Sequence, residues 1–278
     1  MTRRFKVRQS TIAGCVTLLV LEASTGWALS SQSAGPRADV PRRVTGLAIA
    51  VSTYPESPDL ESPSTFRRLS RESIPSAIQP ALLAVIPRSL PITARPGGGR
   101  VLGVMPSSSK YIHTPTVAWI EAQSANGRYG KVSVPYRGFE TRGWISLVGL
   151  KLRRTPITVH AYVSRHIVTV SRLGTVILRF RAATGAPSSP TPPGHYFVTD
   201  RVPEDPFGPY GAFAFGISGI QTRLPPGWRG SDQLAVHGTN SPGTIGMSVS
   251  AGCLRVSARV LEELRPLLQL GTPVLIEP

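Results

Sequence analysis

Between Ala81 and Pro278 only one stretch repeats apolar residues at helical spacing. It carries Val260, Leu261, Leu264 and Leu267 within a helix predicted from Ala258 to Leu268. Ser257 can cap its start, Gly271 can end it, and Pro266 threatens its last turn. Elsewhere the apolar residues fall in short runs broken by turn formers. With 27 Gly and 27 Pro in the chain, long helices have little room, so the protein is expected to be mostly β.

The runs sort into two parts. In 155–278, Ile157, Val159 and Ala161 alternate with polar neighbours, and Ile167, Thr169 and Ser171 repeat the pattern. Strands are also expected over 175–180, 196–199, 212–217, 234–236 and 272–276, with Leu173-Gly174 as a turn. This makes a mostly β domain of about 120 residues, close to the usual domain size. In 81–152, strands are expected over 81–86, 117–122, 130–134 and 143–148, with Asn126-Gly127 as a tight turn. Here Trp119-Ile120-Glu121-Ala122 and Arg142-Gly143-Trp144-Ile145 resemble bacterial SH3-like wall-associated modules, so 81–152 is expected to be a small β-rich module.

The preceding segments read differently. Residues 1–28 carry Arg3, Arg4, Lys6 and Arg8, then an apolar run from Ile12 to Leu21, then small residues, which is the order of a signal peptide. Residues 29–80 are rich in Pro, Ser and Arg and lack a periodic apolar pattern, as in a flexible linker. The expected location is therefore outside the cytoplasm, in the periplasm or cell wall, with a membrane tether if the first segment is retained. The net charge of +16 favours anionic partners such as wall polymers. The basic residues are scattered and form no recognition motif, so no specific nucleic acid is expected.

The chain has two cysteines, Cys15 and Cys253. Removal of the signal would leave Cys253 without an intramolecular partner, and a lone thiol in an exported protein points to reactivity or intermolecular pairing, with a buried inert thiol as the alternative. It follows His237 by 16 residues. A cysteine nucleophile needs a base to form thiolate, and donors to hold the oxyanion it generates. His237 is a candidate base. Gly238 and Thr239 follow it at a place where a ligand can approach closely. Ser250, Ala251 and Gly252 form the turn leading into Cys253, and Arg255 adds a positive charge.

The segments His237-Gly238-Thr239-Asn240-Ser241-Pro242 and Ser250-Ala251-Gly252-Cys253-Leu254-Arg255 closely resemble the YkuD-type L,D-transpeptidase catalytic domain. Thr191-Pro192-Pro193-Gly194-His195-Tyr196-Phe197, Gly208-Pro209-Tyr210-Gly211 and Gly271-Thr272-Pro273-Val274 extend the resemblance over 155–278. It implies an L,D-transpeptidase-like β-sandwich with one C-terminal helix. It also implies Cys253 as nucleophile, His237 as base and proton donor, an oxyanion hole from amides around Gly252 and Cys253, and Arg255 on the loop or on a substrate carboxylate. The implied reaction cleaves a peptidoglycan tetrapeptide stem, releases its terminal D-alanine and joins the acyl group to an amine of another stem. Carbapenem-type β-lactams are implied as covalent inhibitors; no metal or cofactor is implied. Ala251 stands where many members carry His or Lys, which leaves substrate preference open. Tyr210 and Trp228 are further candidates for the cleft, and His195 reads as structural. The alternatives are an L,D-carboxypeptidase on the same domain and a non-catalytic basic wall-binding protein.

Overall fold

The computed structural model describes residues 79–138 and 140–278. The signal segment 1–28 and all but the last two residues of the linker 29–80 lie outside the described residues.

The first part contains β1 (Ala81–Val85), β2 (Leu90–Arg95), β3 (Gly98–Met105), β4 (Val117–Ile120), β5 (Ala122–Gln123), β6 (Tyr129–Ser133), β7 (Arg142–Ser146) and β8 (Leu152–Thr155). They form a three-stranded sheet, β4-β1-β8, and a five-stranded sheet, β3-β2-β7-β6-β5. Gly127 makes the turn between β5 and β6 at φ +67, a conformation that costs glycine little. β2 and β3 have no counterpart among the expected strands: Pro91, Pro96 and Gly97–Gly99 hide their pattern.

The second part contains β9 (Ile157–Tyr162), β10 (Ile167–Arg172), β11 (Thr175–Arg181), β12 (Thr184–Gly185), β13 (Gly194–Pro203), β14 (Phe213–Ile220), β15 (Gln233–His237), β16 (Ser248–Ser250), β17 (Leu254–Arg255), α1 (Ala258–Leu264) and β18 (Pro273–Glu277). Eight of these strands form one sheet in the order β11-β10-β9-β18-β13-β14-β15-β17; β12 pairs with β16. Among the described residues the fold is mostly β with one α-helix, as expected.

Two local expectations need correction. On β10 the most deeply buried residues are Val168 and Val170, so Ile167 and Ser171 lie on the less buried face. The two valines fill the core, and a strand's period of two puts their neighbours on the other side. The helix ends at Leu264, earlier than predicted. Ser257 Oγ accepts from the Val260 amide at its start, and Pro266, without an N–H, ends the regular ladder. Leu261, Leu264 and Leu268 still bury against the sheet in one cluster with Val159, Phe215 and Val236.

β13 joins the two parts because both of its faces are buried. Val198 belongs to the cluster beneath α1, while Phe197 packs among Ile86, Ile92, Ile120 and Ile145 of the first part. Adjacent residues on a strand point to opposite faces, so successive apolar residues indicate a strand covered on both sides. Gly271, at φ +83, makes the second close approach: a Cβ there would lie 2.8 Å from Val117 and 3.1 Å from Leu83.

Candidate active site

The site forms where β15 and β17 lie side by side. They pair in parallel, Val236 with Leu254 and His237 with Arg255. Because strand residues alternate faces, Leu234, Val236, Leu254 and Val256 point into the core, each 1% exposed or less. Gln233, Ala235, His237, Cys253 and Arg255 point the other way and line a cavity of about 570 Å³. Sequence spacing and strand register thus bring the predicted histidine, cysteine and arginine to one surface.

His237 is 2% exposed. Its Nδ1 lies 2.6 Å from the Gly238 carbonyl, a contact that assigns the proton to Nδ1 and leaves Nε2 as acceptor. The Tyr210 ring meets the imidazole edge-on, with centroids 5.0 Å apart. Burial pushes the His237 pKa down to about 4; the Arg255 charge acts in the same direction, while the Gly238 carbonyl opposes it. The imidazole is therefore neutral near pH 7. Cys253 is half-buried, and burial pushes its thiol pKa up. A backbone hydrogen bond involving Ala235 and the Arg255 charge pull the other way. The resting pair is a neutral thiol and a neutral imidazole, so a nucleophilic thiol here would have to give up its proton as it attacks.

The turn before Cys253 is tied by one hydroxyl. Ser250 Oγ donates to the Cys253 carbonyl at 2.6 Å and accepts from the Gly252 amide at 3.0 Å. The Gly252 amide, one of those expected at an oxyanion hole, is thus already engaged. Gly252 has φ +113, and a Cβ there would lie 2.4 Å from Gln221 Nε2, so glycine is required.

Some expected site residues lie elsewhere. Ser250 and Ala251 line the cavity, but Gly238, Thr239 and Gly252 do not. The expectation that Gly238 admits a ligand is corrected: a Cβ there would sit 3.0 Å from Gly211 Cα and 3.0 Å from Leu261. The close approach is by the chain at Tyr210-Gly211. Tyr210 and Trp228 both line the cavity. His195 lies away from it, stacked on Trp119 at 5.5 Å with Nδ1 3.2 Å from Glu121.

Arg255 is held by its backbone, which exchanges two hydrogen bonds with Ala183 at 2.9 and 3.0 Å. Its Nε is buried without a hydrogen-bond partner among the described residues. Arg255 also lines the cavity, so its guanidinium brings a positive charge to the surface shared with His237 and Cys253. Among the described residues no cluster of three or more His, Cys, Asp or Glu could hold a metal ion.

Sequence reasoning missed Asp200, Gln233, Tyr111 and Ile112, which also line the cavity. Asp200 and Gln233 carry no motif signal, and Tyr111 and Ile112 come from the other part of the chain.

Comparisons with known proteins cover this second part of the chain. The L,D-transpeptidase catalytic domain (YkuD) family matches residues 156–276. The YkuD protein of Bacillus licheniformis, which carries the L,D-transpeptidase name provisionally, is 32% identical over 103 residues, covering 37% of this chain and 54% of that protein. Its Bacillus subtilis counterpart, named in the same way, is 28% identical over 121 residues, covering 44% of this chain and 66% of that protein. The chain thus spans less than two thirds of the length of either relative. Among solved structures, L,D-transpeptidase 3 from Mycobacterium tuberculosis aligns with a TM-score of 0.40 at 16% identity, covering 70% of this chain and 99% of that one. Residues 156–276 belong to the YkuD family of L,D-transpeptidase catalytic domains.

Proposed function

We propose that the protein is an exported cysteine acyltransferase that cross-links peptidoglycan stem peptides. The observation that carries this reading is the shared cavity face of His237, Cys253 and Arg255, set by the pairing of β15 with β17. In the first step His237 Nε2 takes the thiol proton as Cys253 Sγ attacks the carbonyl carbon of the third stem residue. The Cys253 amide faces the developing oxyanion, a contribution of about 3 kcal/mol for one such donor. As the intermediate collapses, the C–N bond breaks, the imidazolium gives its proton to the leaving amine, and D-alanine departs. The acyl group remains as a thioester. In the second step an amine of another stem attacks, His237 takes its proton, and the thiolate leaves and is reprotonated. Arg255, on the same cavity face, supplies the positive charge for a substrate carboxylate. No cofactor enters either step.

Carbapenem-type β-lactams would enter the same first step, with the strained ring amide opening onto Sγ. The basic charge would favour anionic wall polymers, and the signal and linker would place the domain at the cell wall.

The test is incubation of the purified chain with a disaccharide tetrapeptide, followed by mass spectrometry. A cross-linked dimer that disappears in Cys253→Ala supports the reading. Tripeptide without dimer assigns the L,D-carboxypeptidase reaction, in which water resolves the thioester. Undiminished product from Cys253→Ala removes Cys253 as nucleophile.

A further inference from the structure

The loop between β3 and β4, residues 106–116, reaches from the small β module into the cleft. Tyr111 and Ile112 both line the cavity. The Lys110 ammonium pairs with Asp232 at 3.2 Å and lies 4.8 Å over the Tyr111 ring, and the Tyr111 hydroxyl donates to the same carboxylate. Deeper in the loop, Ser109 Oγ donates to Asp200 Oδ1 at 2.5 Å. Asp200 is 1% exposed, and its Oδ2 accepts from Gln233 Nε2 at 3.0 Å and from Thr199 Oγ1 at 2.8 Å.

These contacts converge on the start of β15. Asp232 is gripped directly, and the next residue, Gln233, is gripped through Asp200. The backbone carbonyl of Gln233 lies 3.9 Å from Cys253 Sγ as the acceptor for the thiol. The two grips differ in kind. A surface ion pair such as Lys110–Asp232 adds little to global stability. The hydrogen bonds to Asp200 are charge-assisted and buried, so they are strong and directional. Gly216 leaves the space this network needs, since a Cβ there would lie 2.7 Å from Gln233 Nε2 and 3.0 Å from Asp200 Oδ2.

We propose that the small β module is a working part of the active site: its 106–116 loop walls the cleft with Tyr111 and Ile112, and through Ser109, Lys110 and Tyr111 it positions Gln233 against the Cys253 thiol. Ser109, Asp200 and Asp232 are positioning residues, and the apolar wall, completed by Trp228, receives the aliphatic part of the donor peptide. The inference rests on Cys253 being the nucleophile.

The test uses the full chain with Ser109→Ala, Asp232→Ala and the conservative Asp232→Glu. Carbapenem acylation of Cys253, kcat and KM on the disaccharide tetrapeptide, amide exchange over 221–237 and thermal midpoint are measured together. Ser109→Ala is expected to slow acylation roughly tenfold, the effect of losing one hydrogen bond to a buried carboxylate. Asp232→Ala is expected to raise KM about fivefold with kcat little changed, to speed exchange over 221–237, and to be largely rescued by Asp232→Glu. Variants that melt earlier but keep wild-type acylation, KM and exchange would overturn the proposal, because the loop would then only support the fold. If the wild-type chain neither cross-links nor trims the peptide, the peptidoglycan reading fails alone. Carbapenem acylation of Cys253 together with exchange over 221–237 then decides this proposal, slowed acylation with faster exchange in the variants supporting it and unchanged acylation overturning it.

Discussion

Arg255 stands directly opposite His237 in the parallel pairing of β15 with β17, with both side chains on the cavity surface. A fixed positive charge beside the imidazole adds to burial in keeping that ring neutral, and the same charge favours thiolate at Cys253. One residue thereby tunes both members of the pair. Replacing it with methionine, which keeps the stem and removes the charge, is expected to raise KM for the stem peptide tenfold or more, given about 1.5–3 kcal/mol for a hydrogen bond to a charged group. Steady-state kinetics check this; an unchanged KM would show that the Arg255 charge does not meet the substrate.

The depressed pKa of His237 gives a pH signature. Its ordinary value is 6.5 and its folded value is about 4. Between these values the unfolded chain binds a proton that the folded chain does not, so stability is full above pH 6.5 and falls as the pH drops towards 4. The loss amounts to about 3 kcal/mol at most. Denaturant titrations at stepped pH should show this slope, and it should flatten in His237→Gln.

Activity should follow the same group. The acid limb of carbapenem acylation is expected near pH 4, well below the range of an ordinary histidine, because the base works in its neutral form. A limb at or above pH 6.5 would show that burial does not depress the His237 pKa, and a limb unchanged in His237→Gln would contradict its assignment as base.

Ser250 is 2% exposed and holds the turn by one donated and one accepted hydrogen bond. Ser250→Ala should leave the Gly252 amide and the Cys253 carbonyl short of partners, at a cost of about 1–3 kcal/mol. Acylation should slow as Cys253 loses its fixed position. Thermal melts and adduct formation followed by mass spectrometry read the two effects separately.

Gly211 has φ +63, and a Cβ there would lie 2.8 Å from Gly238 Cα. Gly211→Ala is expected to destabilise the protein by about 1–3 kcal/mol through the strained conformation and to push the backbone beside His237. Turnover should fall further than the melting temperature alone explains; a variant with wild-type turnover would show that the Gly211–Gly238 contact has no part in placing the base.

Legibility in the sequence followed the distance between partners along the chain. His237, Ser250, Cys253 and Arg255 fall within a short segment, so their chemistry could be read as a motif. Gly238 was misread because a glycine beside a catalytic residue looks the same whether it admits a ligand or another backbone, and only the position of Gly211 decides. The parity of β10 was misread because Ile167 and Val168 are both apolar, and the facing core selects one of the two faces. Ser109 and Asp200 are separated by 91 residues, and Tyr111 and Asp232 by 121, so no local pattern joins them.

The sequence by itself determined the mostly β character, the helix near its observed start, and the choice of His237 and Cys253 as the candidate pair. These depend on alternation, capping and a compact motif, all short-range properties of the chain. The tertiary structure decided that His237, Cys253 and Arg255 share one face, that Gly238 packs against backbone, and that a loop of the small module walls the cleft. Those outcomes depend on strand register and on which face of β13 each core covers. Both are settled when distant segments bury their apolar surfaces against one another, which nearest neighbours along the chain do not specify.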